Sequence, residues 1–378
     1  MKKVVITGAA GLIGWHAAAR LHAVNCAARF NKRDEEFEVV AVDRAVFSNR
    51  QMLVEALADA DVILHFAGVN RASDDDVERG NPDIAANLIE ACRAAGCDPH
   101  IVYANSTHYQ SDTPYGRSKR LAGELLAAFT PRFTNLILPH IFGECARPYY
   151  NNVTATFIKE VISDRMPDVN PEGRVHLLHA GAAAQIAIDA GVTGQTGLLQ
   201  PEARTIGVPD LLAKIVGFHQ SYNAGVYPDV RDPFDLALFN SYRAALYPEG
   251  FPRVLKLNTD ARGTLFEAVK GGGGGQTFLS WTEPGVTRGE HFHLDKVERF
   301  LVLKGEAVIR LRKVLTDEVW TYPVSGDAPV AVDMPTLHTH SIENVGNEPL
   351  LTLFWTNEIF DPANPDTFAD PVLGKHNV

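Results

Sequence analysis

Cysteine is scarce: the 378 residues hold 4, at Cys26, Cys92, Cys97 and Cys145, with no CxxC pair among them. That argues against a disulfide framework and a cysteine-built zinc site, and it suits a reducing compartment, so a cytoplasmic protein is expected. Basic residues are outnumbered, 35 Lys and Arg against 46 Asp and Glu for a net charge of −11. This balance argues against a nucleic-acid partner and against docking on anionic lipid, since both demand a basic footprint. No uninterrupted apolar run reaches the ~18 residues of a membrane-spanning helix. The opening MKKVVITGAAGLIGWHAAA sets two lysines before an apolar run, as a signal peptide does, but Thr7, Gly8, Gly11 and Gly14 are better explained by a nucleotide-binding turn.

What remains is an ordinary globular composition, 46% apolar and 21% charged, in a chain long enough for two or three domains. VVIT (4–7), VVAVD (39–43), VILHFAG (62–68), IVYANS (101–106) and LILPH (136–140) read as buried parallel strands. Helix-period segments such as 79–96 and 115–129 alternate with them, the rhythm of a doubly wound α/β sheet. From about residue 250 the rhythm becomes short strand-like runs with Gly, Pro or Asp turns: VLKLN, TFLSWTE, RFLVLKG, EAVIRLR, EVWTYPV, PVAVDM and LLTLFW. These suggest an all-β barrel or sandwich. The seam is expected near Tyr247-Pro248-Glu249-Gly250-Phe251-Pro252, dividing the chain into 1–248 and 249–378.

Thr7-Gly8-Ala9-Ala10-Gly11-Leu12-Ile13-Gly14 follows the first strand and opens a helix, where glycines let the backbone approach a pyrophosphate. Asp43 ends the second strand, where a carboxylate accepts bonds from the ribose of NAD. Arg44 beside it suits the 2′-phosphate of NADP, so the pair gives a mixed signal. Tyr115 and Lys119 stand four apart at a helix start that Thr113 can cap and Pro114 can open, so both project from one face. A lysine ammonium beside a phenol favours phenolate and tunes it for proton exchange with an alcohol or ketone. A YxxxK pair arises by chance roughly 0.3 times in such a chain; its place after the fourth strand, with Ser106 ending that strand, gives it weight.

TGAAGLIG, HFAGVNR, Ser106, PYGRSK and LPHIFGE together resemble the extended short-chain dehydrogenase/reductase family over about residues 1–245. The resemblance implies that Tyr115 is the acid, that Lys119 holds the nicotinamide ribose and tunes Tyr115, and that Ser106 orients a ketone. It further implies that Gly8, Gly11, Leu12, Ile13, Gly14, Asp43, Arg44, Ala67 and Gly68 line the cofactor. His140 stands where asparagine is usual, on the substrate side, and AGAAAQIA replaces a segment that commonly carries a valine and two aspartates.

Gly285-x5-His291-Phe292-His293-x4-Glu298-x6-Gly305 places two histidines on one face of a strand and a glutamate on the next. Such a five-point match arises by chance on the order of 0.0002 times here. Pro335-x4-His340-x3-Asn344 brings His340 from a later strand, and three imidazoles with one carboxylate suit a divalent transition metal. The pattern resembles the two motifs of the cupin barrel, with Leu337 where glycine is usual. Asp260-Ala261-Arg262-Gly263-Thr264-Leu265-Phe266-Glu267 is similar to a stretch of the nucleotide-sugar 3,5-epimerases, in which the arginine helps bind substrate.

A reductase followed by such a cupin resembles the bifunctional UDP-sugar epimerase/reductases of capsular polysaccharide and O-antigen synthesis, on the route to UDP-N-acetyl-L-fucosamine. RPYYNNVTATF, DMPTLHTHSIEN and FDPANPDTF carry the likeness nearly end to end. It implies a UDP-linked 4-keto-deoxy amino sugar as substrate, NADPH and one zinc as cofactors, and a homodimer. The C3 base stays open between Lys296, His338 and a metal-bound water, as does a structural against a catalytic metal and UDP against dTDP. A different class also remains: an NADP-binding sensor with a ligand-binding cupin.

Overall fold

The computed structural model describes residues 1–261 and 263–374. Strands β1 (Lys2–Thr7), β2 (Phe37–Val42), β3 (Val62–His65), β4 (His100–Ser106) and β5 (Phe133–Leu138), with Gly197–Leu199, form one parallel sheet in the order β2-β1-β3-β4-β5-(197–199). This is the Rossmann-like arrangement that the first five apolar runs foretell. Both faces are covered, so the strands read as nearly unbroken apolar runs. Val4, Ile6, Leu64 and Val102 pack against α1 (Leu12–Phe30) and helix Ala180–Thr193 on one face. Val5, Ile63, Ile101 and Tyr103 meet Leu53, Leu88, Ala122 and Leu126 on the other.

AGAAAQIA has a packing reason. The helix that it opens lies so close to the sheet that a Cβ on Gly191 would sit 2.5 Å from a Val62 methyl. A second, three-stranded sheet joins β6 (His140–Phe142), β7 (Arg174–His179) and strand Arg204–Gly207. In the first sheet the order of strands reverses between β1 and β3, the kind of switch point at which open α/β sheets bind ligands.

Beyond helix Pro233–Ala244 the chain forms two mostly antiparallel five-stranded sheets. Phe300, Val302, Ile309, Leu311, Val332, Ile342 and Phe354 are buried together in one core. The run VLKLN is not one strand. Arg253–Val254 pairs with Val330 and Ala331, whereas Leu257–Asp260 folds into a separate hairpin with Gly263–Phe266. That hairpin is largely exposed, with Leu265 at 65%, so alternation there does not report a buried face. Two strands outside those apolar runs, Thr287–Phe292 and His338–Asn344, are rich in histidine and charge because they carry a polar cluster.

The two regions share an extensive seam. Val226–Tyr227 pairs with Lys270–Gly271, and Ala19, Ala23 and Cys26 of α1 pack on Phe292, Val314 and Leu337. Fully buried Arg243 donates to the Met334 carbonyl at 2.7 Å. Among the described residues, no helix is long and apolar enough to cross a membrane.

Candidate active sites

The first constellation gathers at the C-terminal ends of β1, β3 and β4. Gly8 takes φ +71°, and a Cβ there would meet the Ala67 nitrogen at 2.7 Å. Glycine is therefore required both for backbone geometry and for room beside the loop after β3. A Cβ on Gly14 would lie 2.3 Å from the Gly8 carbonyl, so the loop folds tightly onto the start of α1. Gly11 caps α1 without a side-chain hydrogen bond, which leaves the first-turn N–H groups of Leu12 and Ile13 to an anion. Asn81 fixes the neighbouring loop, accepting from Val69 N at 3.1 Å and donating to Ser118 at 2.9 Å. Its Oδ1 lies 2.8 Å from where a Gly68 Cβ would stand. These residues fit a dinucleotide.

One Asp43 oxygen accepts from Val46 N at 2.9 Å, capping the five-residue helix Arg44–Ser48. Asp43 and Arg44 are both exposed at the rim.

Helix Pro114–Phe129 starts as its sequence foretells, with Thr113 accepting from Gly116 N at 3.1 Å and Pro114 in the first turn. Tyr115 is half-buried and Lys119 buried. Lys119 Nζ donates to the Ala104 carbonyl at 2.5 Å and lies 4.2 Å from the centre of the Tyr103 ring. Burial lowers its pKa to about 7. The expected electrostatics are thereby altered: burial raises the Tyr115 phenol and Ser106 opposes that rise, with Lys119 not among the causes. An ammonium stripped of water sheds its proton more readily and so exerts less pull on the phenol.

One histidine neighbours Tyr115 and a second neighbours that one. His108 lies edge-on to Tyr115 with ring centres 6.3 Å apart, and His140, whose buried Nε2 has no hydrogen-bond partner among the described residues, lies near His108. Burial, then His108, lowers the His140 pKa. Sequence reasoning missed His108, although its position two residues after Ser106 was a usable signal. Thr107, Pro139, His176 and residues 200–203 line an adjoining cleft of about 700 Å³.

The second constellation is on the carboxy-terminal sheets. His291 and His293 come from and just beyond one strand, Glu298 begins the next, and His340 arrives opposite His291. One ligand atom from each of the four lies within 4.8 Å of all the others. His293 Nε2 hydrogen-bonds Glu298 Oε2 at 3.1 Å. His340 Nε2 is also 3.1 Å from that oxygen but is misaligned for a hydrogen bond and has no other partner among the described residues. Buried nitrogens converging on one carboxylate are the donor set of a divalent ion. Burial pushes Glu298 up, yet His293 and His340 outweigh it and hold the carboxyl well below its usual range. Burial, aided by His340 and His293, lowers His291 to about 3, which keeps it neutral.

Asn344 of the second motif is structural, donating to the carbonyls of Thr282 at 2.8 Å and Glu348 at 2.9 Å. Buried His338 packs on Tyr247 with ring centres 4.5 Å apart and bonds the Thr336 carbonyl through Nδ1 at 2.9 Å. Lys296 Nζ donates to the Pro365 carbonyl and stands 3.6 Å from Glu358. Arg262 lies outside the described residues.

A Rossmann-like sheet with a glycine loop, a nearby Tyr-Lys-Ser group and a second, polar cluster defines an oxidoreductase of epimerase/dehydratase type with a nicotinamide cofactor. Comparison with known proteins agrees. Residues 4–184 match the NAD dependent epimerase/dehydratase family, and residues 258–368 match the polysaccharide biosynthesis C-terminal domain. A UDP-2-acetamido-2,6-beta-L-arabino-hexul-4-ose reductase from Pseudomonas aeruginosa is 31% identical over 376 residues, covering 97% of this chain and 98% of that protein. The chain belongs to the family of this reductase. The crystal structure of the capsular polysaccharide assembling protein CapF from Staphylococcus aureus is similar with a TM-score of 0.57 and 30% identity, over 98% of this chain and all of that one. A probable low-salt glycan biosynthesis epimerase from Haloferax volcanii is 25% identical over 126 residues, 30% of this chain and 81% of that protein.

Proposed function

We propose that the protein is a bifunctional nucleotide-sugar enzyme with two active regions, 1–248 and 249–378. The second, a cupin barrel, epimerises C3 of UDP-2-acetamido-2,6-dideoxy-4-hexulose. The first reduces the C4 ketone with NADPH to UDP-2-acetamido-2,6-dideoxy-L-talose. The observation that carries this reading is the coexistence, in one chain alike end to end to a UDP-4-ketosugar reductase, of the Ser106-Tyr115-Lys119 group and the His291-His293-Glu298-His340 cluster.

NADPH, when bound, supplies the hydride for C4. The residues of the chain do the rest. Ser106 hydrogen-bonds the ketone, and Tyr115 delivers a proton to the developing alkoxide. The raised pKa of Tyr115 keeps it a phenol, the donating form, at neutral pH. Lys119 holds the cofactor ribose. His140 contacts the substrate, which enters by the 700 Å³ cleft lined by Thr107, Pro139 and His176.

In the other region, a C3 proton beside a C4 ketone is acidified because the carbanion delocalises as an enolate. A zinc ion, when bound, supplies positive charge to that region, and His291, His293, Glu298 and His340 are the residues that hold it. Arg262 contacts the substrate. Nicotinamide preference is assigned to NADPH through Arg44, the assembly is a homodimer, and the enzyme works in the cytoplasm. Incubation with UDP-2-acetamido-2,6-dideoxy-L-arabino-4-hexulose and NADPH, followed by product NMR, tests the reading: the L-talo product supports it. No NADPH oxidation with that or a related 4-ketosugar overturns it in favour of a sensor.

A further inference from the structure

Three side chains that share no sequence motif converge at the seam: His16 on α1, Glu144 just after β6 and His179 at the end of β7. Their ligand atoms all lie within 4.8 Å of one another. Glu144 Oε2 is 2.7 Å from His179 Nε2 and 3.7 Å from His16 Nε2. His16 and Glu144 are each 1% exposed. The other carboxylate oxygen, Oε1, is oriented from across the seam, accepting from Thr336 Oγ1 at 3.2 Å.

We propose that His16, Glu144 and His179 form a second divalent-cation site, of zinc type, that clasps the cofactor helix to the loop after β6. Two imidazole nitrogens and one carboxylate oxygen are a borderline donor set suited to zinc. An ion about 2.0 to 2.2 Å from each donor spaces tetrahedral ligands roughly 3.4 Å apart. That spacing lies between the two carboxylate–imidazole separations, and the third separation, between the two imidazoles, is at most 4.8 Å. The Thr336 bond to Glu144 is the kind of outer contact that fixes a ligating carboxylate.

The electrostatics are compatible with an exchangeable ion. Burial is the main cause of the fall of the His16 pKa to about 3, so its ring is neutral. Its Nε2 lies 3.3 Å from the Glu144 carbonyl, a hydrogen bond that a bound ion would replace. A similar trio, His22, Cys26 and Asp370, is a poorer donor set, because burial pushes the Cys26 thiol up to about 12 and Arg29 Nη2 donates to its sulfur at 3.1 Å.

The site is independent of the substrate assignment, and metal content tests it. Full-length protein is loaded with zinc, freed of loose ions by gel filtration and assayed for zinc per chain. One equivalent is expected to be lost in Glu144→Gln and in His16→Gln, and to survive in a His291→Ala/His293→Ala double variant. Unchanged zinc in both Glu144→Gln and His16→Gln means an adventitious ion only and overturns the proposal. Cobalt(II) titration of the wild-type chain needs no variant. In protein whose cupin cluster already holds zinc, uptake of one further equivalent with its own visible band supports the site, and no uptake overturns it.

Discussion

The Tyr222 phenol, on helix Val208–Asn223 of the α/β region, donates a buried hydrogen bond to the Asp333 carboxylate on a strand of the β region. Asp333 is fully buried and also receives Arg299 Nε at 2.6 Å and Nη2 at 2.9 Å. Burial pushes the Asp333 pKa up, but Arg299 outweighs it and holds it well below the usual carboxylate range. Arg299 adjoins Glu298 in sequence, so this network anchors the strand that carries Glu298 against the reductase-like region.

Asp333→Ala removes the partner of a guanidinium that is 3% exposed. Stranding a buried charge costs about 3 to 5 kcal/mol, whereas Tyr222→Phe removes one charge-assisted hydrogen bond worth roughly 1.5 to 3 kcal/mol. Urea unfolding is expected to rank wild type above Tyr222→Phe and Tyr222→Phe above Asp333→Ala. Equal midpoints for wild type and Asp333→Ala contradict the role given to the pair.

Tyr115→Phe removes the proton donor but leaves the glycine loop and Lys119 in place. NADPH oxidation in the presence of the 4-ketosugar is expected to fall 10²-fold or more, with NADPH binding, followed by fluorescence, nearly unchanged. A variant that keeps more than about a tenth of the wild-type rate contradicts the assignment of the acid.

One Asp43 oxygen is occupied in capping Val46 N, and the proposed function gives the choice between the nicotinamide cofactors to Arg44. The wild-type enzyme is expected to prefer NADPH, and Arg44→Ala to lose that preference mainly through KM for NADPH. Similar kcat/KM for NADPH and NADH in the wild type rejects this.

Burial lowers Lys119 from 10.5 to about 7. The unfolded chain therefore keeps a proton between those values that the folded chain has shed, and stability gains from this group as pH rises through the window. Lys119→Met removes that dependence. In cofactor-free protein the stability advantage of Lys119→Met over wild type is expected to be largest at about pH 7 and to shrink towards about pH 9.5. A constant difference across that range refutes the shift.

Much of this architecture was legible because the signals are local. The strands around Ile6, Leu64 and Val102 are apolar on both faces, and Thr113-Pro114 announces its helix. His291, His293 and Glu298 lie on neighbouring strands, so sequence spacing alone brings them near one another. What stayed hidden depends on long-range packing. His16, Glu144 and His179 meet only once α1, β6 and β7 are assembled, and the burial that lowers Lys119 comes from its whole surroundings. The exposed hairpin 257–266 shows the converse: an alternating pattern made a strand but did not say what, if anything, it packs on.

The central claim is that two chemistries are divided between two constellations, and solvent isotope exchange tests it most directly. In deuterium oxide, chelated enzyme or His291→Ala is expected to leave C3 of the 4-ketosugar unlabelled, while the wild type labels it. Hydride transfer to a ketosugar already in the right C3 configuration should persist in both, because Tyr115 and the glycine loop belong to the first constellation and His291 to the second. Deuterium entering C3 at the wild-type rate in metal-free protein, or hydride transfer lost together with exchange, contradicts the account.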